Sequence, residues 1–282
     1  MRSTRLFLLA LALSAGGYAL AQSGAFRTTD WPGPRAPLAP GEKRPVVIEL
    51  FTSEGCSSCP PADALLIELE RAQPVAGAEI IPLGFHVDYW DDLGWRDPFS
   101  SSEFTVRQQE YRLAFGNQTV YTPQVVIDGA REFLGSDRAQ ALRTIARAVE
   151  TPKARLELSL TPAPPDEARR TARFAVKIAG LPEGAGEQVE IFLAITETGL
   201  ASSVARGENA GRRLEHTAVV RRLERLARFA SSSANGFAKE IAVKFDPAWR
   251  KENLRAVVFI QDRKSRRVLG ATSLSLETHT EM

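Results

Sequence analysis

The sequence predicts an α/β domain over residues 45–150 followed by an all-β, sandwich-like domain over 153–278. Two near-continuous apolar runs, Val46 to Phe51 and Ile80 to Val87, flank a stretch whose apolar residues recur at helical spacing. That grammar belongs to a βαβ unit with a parallel sheet buried on both faces. From Lys153 onward the chain changes to short alternating runs separated by Pro and Gly clusters, the pattern of an antiparallel sandwich.

Ahead of these lies a leader. Arg2 and Arg5 precede an apolar run from Leu6 to Leu13 and the small residues Ala19-Leu20-Ala21, the order of a secretory signal peptide. Ser14, Gly16 and Gly17 interrupt the run and leave it short of the roughly 20 residues that a bilayer span needs. Cleavage after Ala21 is expected, with no membrane anchor and with export to the periplasm or the exterior. Removing Arg2 and Arg5 lowers the 36 basic residues to 34, equal to the 34 acidic ones. A neutral chain argues against nucleic acid or an anionic membrane as partner. Residues 22–44, with Pro32, Pro34, Pro37 and Pro40, read as a semi-rigid tether.

The elements follow in order. After the first strand, the loop Thr52 to Gly55 leads into Cys56-Ser57-Ser58-Cys59, and Ala62, Leu65, Leu66, Leu69 and Ala72 mark a helix. The cysteines therefore stand at a strand-to-helix junction. Past the second strand, Asp97 or Ser100 is expected to cap a helix reaching Phe115, with Ser100 and Glu103 spaced as a capping box. A strand at Gln124 to Ile127, a hairpin turn at Asp128-Gly129 and a helix from Arg138 to Val149 complete the first half. In the second half, strands are expected at 156–160, 172–178, 189–195, 239–245 and 254–261. The stretch Arg212 to Phe229 is ambiguous, with strand expected as far as Arg221.

The chain has only two cysteines, three positions apart. By the chain-entropy relation a four-residue loop stabilises by about 2 kcal/mol, against roughly 4.7 for a 100-residue loop. Stability is a poor reason for such a bond, and reversible redox use is the better one. A helix N-terminus offers free amide N–H groups and a positive potential to a thiolate, which makes Cys56 the attacking sulfur and Cys59 the resolving one. A closed zinc site needs four ligands, and only His86, His216 and His279 accompany the pair. A two-sulfur Cu(I) site, an inert disulfide in a secreted interaction protein, and exchange with protein or small-molecule thiols and disulfides remain open on this evidence. No cofactor is expected.

The stretch Phe51 to Asp63, reading FTSEGCSSCPPAD, resembles the signature of a secreted bacterial family of undefined function within the thioredoxin-like superfamily. So do His86-Val87-Asp88-Tyr89-Trp90, Gly94-Trp95 and Arg206 to Arg212. The resemblance implies a thioredoxin-like fold over 45–150 and a cis peptide between Thr122 and Pro123 facing the cysteines, where an extended partner segment would pair with the exposed backbone. It also places a buried acid, Glu49, near the resolving thiol as a proton carrier, while the residue alone reads equally as a carboxylate paired with a neighbouring Lys or Arg. The chain departs from the usual thioredoxin site in having Gly55 rather than Trp before Cys56, and Pro60 and Pro61, which lack N–H groups, after Cys59. Ser57 and Ser58 are expected to supply amides and hydroxyls instead. Trp90, Trp95 and Tyr121 read as walls of a substrate groove or as domain contacts. His86, Asp88, Asp91 and Asp92 match no metal-binding spacing, so no metal ligands are assigned.

Overall fold

The computed structural model describes residues 41–277 apart from 163, 165–169 and 235. The leader at 1–21, all but the end of the tether at 22–44, and His279 lie outside the described residues.

The first half runs β1 (Arg44–Thr52), α1 (Pro60–Ala72), β2 (Ala78–His86), α2 (Ser102–Phe115), β3 (Gln124–Ile127), β4 (Arg131–Leu134) and α3 (Arg138–Val149). β1 pairs in parallel with β2 and antiparallel with β3, and β3 with β4. The two-residue period of β1 divides its side chains between two layers. Val46, Ile48 and Leu50 pack with Leu65, Leu66 and Leu69 of α1 and Ile145 of α3. Val47 and Phe51 pack with Phe104 and Tyr111 of α2. Asp128 and Gly129 both have positive φ, 49° and 59°, as a two-residue hairpin turn of this kind requires.

The second half comprises β5 (Arg155–Thr161), β6 (Thr171–Gly180), β7 (Gln188–Glu197), β8 (Leu200–Ser203), β9 (Arg213–His216), β10 (Val219–Ala230), β11 (Ala238–Lys244), β12 (Leu254–Asp262) and β13 (Val268–Ser275). One eight-stranded sheet, ordered β13-β12-β7-β10-β2-β1-β3-β4, passes through both halves. The change of pattern near Lys153 is therefore not a break in the sheet. β10 meets β2 in parallel at Val219 and Gly84, and the Gly84 amide donates to the Ala218 carbonyl at 2.8 Å. The three-stranded sheet β11-β6-β5 shares a core with β7 and β12, which brings Phe174, Val176 and Ile178 together with Ile191, Leu193 and Ile260. On the other face of those strands, Phe192, Val257 and Phe259 share a core with Phe85 and Tyr111. Fusing the two halves into one sheet buries β7 and β12 on both sides.

Two local expectations need correction. Ser101 rather than Ser100 or Asp97 caps α2, accepting the Glu103 amide at 3.3 Å, because three consecutive serines shift the register by one. The ambiguous stretch is strand well beyond Arg221: β10 continues to Ala230, with Arg225 and Arg228 reaching Glu190 on β7. Among the described residues no helix is long and apolar enough to cross a membrane.

Candidate functional site

At the end of β1 the chain turns through Ser53-Glu54-Gly55, with the Cys56 amide donating to Ser53 O at 3.2 Å. Cys59 is the N-cap of α1, and Pro60 and Pro61 occupy the first helical positions. Proline is tolerated there because those N–H groups have no partner within the helix. The Ala62 and Asp63 amides return to Cys59 O at 2.8 and 3.1 Å. Cys56 and Cys59 are joined in a disulfide with their Cα atoms 5.5 Å apart. Ser58 Oγ lies 3.3 Å from Cys56 Sγ, so a hydroxyl stands where the two prolines offer no N–H. Gly55 takes the place of a large residue because Trp90 occupies the space: a Cβ on Gly55 would sit 3.0 Å from Trp90 Cβ.

Both cysteines have 0% exposure, whereas Ser57 and Ser58 are exposed. The pair lies one layer below the surface, so the sulfurs are not open as the junction alone suggests. What closes the site comes from the other half of the chain. Asn209, wholly buried in the connection between β8 and β9, donates both amide hydrogens to backbone carbonyls, Glu54 O at 2.8 Å and Cys56 O at 2.9 Å. Arg212 holds the Asn209 side-chain oxygen at 2.8 Å. Glu208 accepts the Ser57 amide at 3.0 Å, and the Ser57 hydroxyl and amide hold its carboxyl below the usual range. Gly94 and Gly207, both at positive φ, permit the two loops to meet: a Cβ on Gly94 would lie 3.3 Å from Gly207 Cα, and one on Gly207 3.1 Å from Trp95 Cβ.

Beneath the turn is a buried polar network. Glu54 accepts Trp95 Nε1 at 2.8 Å and meets His216 Nε2 at 3.0 Å, while its own amide donates to Asp97 Oδ2 at 2.8 Å. Asp97 also meets His86 Nδ1 at 2.7 Å. Burial works to raise the Asp97 carboxyl, but His86 and the backbone amides outweigh it and hold it below the usual range. The His86 and His216 rings stand edge to face at 4.7 Å. Asp63, in the first turn of α1, completes the group. Burial pushes its carboxyl up to about 7 against the pull of His216 and Thr52, with Asp97 and Glu54 adding to the rise. Among the described residues no three His, Cys, Asp or Glu side chains are placed to hold a metal ion.

The Asp63 shift has a pH signature. The folded chain holds the Asp63 proton up to about pH 7, whereas an unfolded Asp releases it near pH 3.9. The stabilising contribution is present at the acid end and is lost as pH rises through this window. Asp63→Asn should flatten the decline. Urea unfolding at pH 5 and pH 7.5 should show wild type losing about 1 kcal/mol or more relative to the variant.

The expected site residues divide into those gathered at the disulfide and those that point elsewhere. Trp90 Nε1 donates to Thr122 Oγ1 at 2.8 Å, tying the Gly55 turn to the Thr122-Pro123 peptide, which is cis. A Cβ on Gly135 would touch both Pro123 and Ala62, at 3.2 and 3.1 Å, so Pro123 stands across from the first turn of α1. Trp95 Nε1 is turned to Glu54, and Trp95 Cβ faces Gly207 from the second half of the chain. The Tyr121 hydroxyl is directed to Glu132 on β4. Glu49 is ion-paired, the second of its two expected roles, and not the proton carrier near Cys59. It lies on the α2 side of β1, opposite α1, where Arg107 Nε and Nη2 donate to it at 2.5 and 2.8 Å and the Tyr111 hydroxyl at 2.5 Å. An offset of one residue in a strand sends the side chain to the other face. Asp63, His216, Asn209 and Glu208 carried no assigned role in the sequence. The available sign for Asp63 was its position four residues after Cys59, on the same helix face.

No curated protein matches the chain. Among solved structures, an Agrobacterium tumefaciens protein is similar at 24% identity and TM-score 0.60, over 86% of this chain and 98% of that one. HBP35 of Porphyromonas gingivalis is similar at 16% identity and TM-score 0.57, over 86% of this chain and 79% of that one. These two likenesses show a shared fold. The family model described as "Protein of unknown function (DUF1223)" matches residues 47–261, and the chain belongs to that family.

Proposed function

We propose that the chain is an exported thiol-disulfide exchange protein, in which β1 through α3 form a thioredoxin-like unit and the Cys56–Cys59 pair exchanges two electrons with a protein or small-molecule partner. The observation that carries this reading is that the only two cysteines are bonded to each other across a four-residue loop at the start of a helix. Such a loop adds little stability.

In the reduced protein the Cys56 thiolate attacks one sulfur of a partner disulfide. That S–S bond breaks, a mixed disulfide forms, and one partner thiolate leaves. Ser58 Oγ is the nearby donor to the thiolate. Cys59 passes its proton to Asp63, one helical turn away, whose proton affinity near neutrality suits the transfer. The Cys59 thiolate then attacks Cys56 Sγ, and the mixed disulfide breaks. The second partner thiolate departs, so the pair is oxidised by two electrons and the partner is reduced by two. Run in reverse, the same steps oxidise a dithiol. Opening of the Glu208-Asn209 segment precedes either direction.

The complete burial of both cysteines favours a second reading, a permanently oxidised clamp that fixes the turn under Asn209. A Cys59→Ala variant separates the two. Exchange predicts partners trapped as mixed disulfides through Cys56, released by a reducing agent and absent from the Cys56→Ser/Cys59→Ala protein. No adduct, together with no insulin reduction by wild type, supports the clamp.

A further inference from the structure

A cleft of about 860 Å³ opens beside the β3–β4 turn, at the end of β1 away from the cysteines. Three separate parts of the chain send arginines to it: Arg131 from the start of β4, Arg143 and Arg147 from α3, and Arg267 from the turn before β13. Gln140, Arg143, Thr144 and Arg147 follow one another at helical spacing, so a single face of α3 forms one wall. Lys153 and Thr151 add to the floor.

The two carboxylates of the cleft do not balance these charges. Asp128 is engaged by Lys153 Nζ at 2.6 Å and by the Val47 amide at 2.9 Å. Glu132 is taken up by Tyr121, Asn117 and Gln124. Among the described residues none of the four guanidinium groups has an ion-pair partner, whereas Arg138 on the same helix is paired with Glu68 at 2.6 Å. Arg143 and Arg147 place like charges one turn apart, an arrangement that disfavours the helix. Arg131 and Arg267 add to the same positive field. A multivalent anion removes that repulsion, and the planar fork of a guanidinium is matched to the paired oxygens of phosphate and carboxylate.

We propose that this cleft binds a small molecule carrying two or more phosphate or carboxylate groups. Its volume lies in the range of small-molecule sites, roughly 300–1,000 Å³. The site is independent of the cysteine pair, and its occupant is neither the thiol nor the disulfide partner.

Calorimetric titration of the purified protein with inorganic pyrophosphate and with citrate tests the proposal, with acetate as the single-charge control. At least one of the two multivalent probes should bind, acetate should not, and 0.5 M NaCl, which shortens the Debye length to well under the roughly 10 Å of 0.1 M salt, should weaken the binding. Arg143→Gln/Arg147→Gln should reduce affinity by about tenfold or more, since hydrogen bonds to charged groups are the strong class. Arg138→Gln, outside the cleft, should leave affinity unchanged, and thermal melts should show all variants folded. Absence of pyrophosphate and citrate binding to wild type, or equal binding by the double variant, would overturn the assignment.

Discussion

Asn209→Ala is expected to raise the rate at which excess dithiothreitol reduces the Cys56–Cys59 disulfide by about tenfold to a hundredfold. The side chain donates one hydrogen to Glu54 O and the other to Cys56 O, and all of it is buried. Alanine leaves the Glu54 carbonyl shielded from water with no partner in the closed arrangement, at about 1–3 kcal/mol, and leaves Cys56 O with the Cys59 amide alone, at 3.2 Å. It also deprives Arg212 of the oxygen it holds. In the open arrangement water satisfies the same carbonyls, so the substitution favours opening. If reduction requires opening, the rate rises with the open population, tenfold for each 1.4 kcal/mol. Timed alkylation of the released thiols measures it. Equal rates in variant and wild type would mean that reductant reaches the sulfurs by another route.

The largest loss of stability is expected from Arg107→Met. Arg107 and Glu49 are both buried, and the guanidinium meets the carboxylate through two nitrogens. Its carbon lies 5.3–5.5 Å from the ring centres of Phe85, Tyr111, Phe192 and Phe259. Removing the cation strands a buried carboxylate, which costs about 3–5 kcal/mol. For a chain of this size that corresponds to a fall in Tm of roughly 6–20 °C. Calorimetry should also show partial recovery in Glu49→Leu/Arg107→Met, because replacing both members of a buried pair removes the stranded charge. A single variant that melts within 2 °C of wild type would contradict this account of the core.

Residues that bury an unbroken apolar run gave up their structure readily. Val46 to Phe51 and Ile80 to Val87 form strands because both faces are covered, and Asp128-Gly129 turns because both residues accept positive φ. The mixed charges of Arg221, Arg222, Glu224, Arg225 and Arg228 concealed the length of β10. Several are satisfied by Glu190 and Glu197 on the neighbouring strand, a pairing that no local pattern encodes. The cysteine pair was legible from spacing alone, but its cover was not. Asn209 and Cys56 are 153 residues apart, and only the tertiary fold brings them into contact. Glu49 stayed open between its two readings for a local reason, since counting back from Cys56 crosses a turn in which strand parity is lost. Asp63 went unassigned because an acid in the first turn of a helix is ordinarily explained by the helix dipole.

The central claim, that Cys56 and Cys59 form a reversible redox pair, is tested most directly by equilibrating the folded protein across a series of dithiothreitol redox buffers and counting free thiols by mass after alkylation. The account predicts a two-electron transition with a potential between about −120 and −270 mV, in the span of exchange proteins. A potential below about −300 mV, where structural disulfides lie, or reduction only after the protein unfolds, would contradict it.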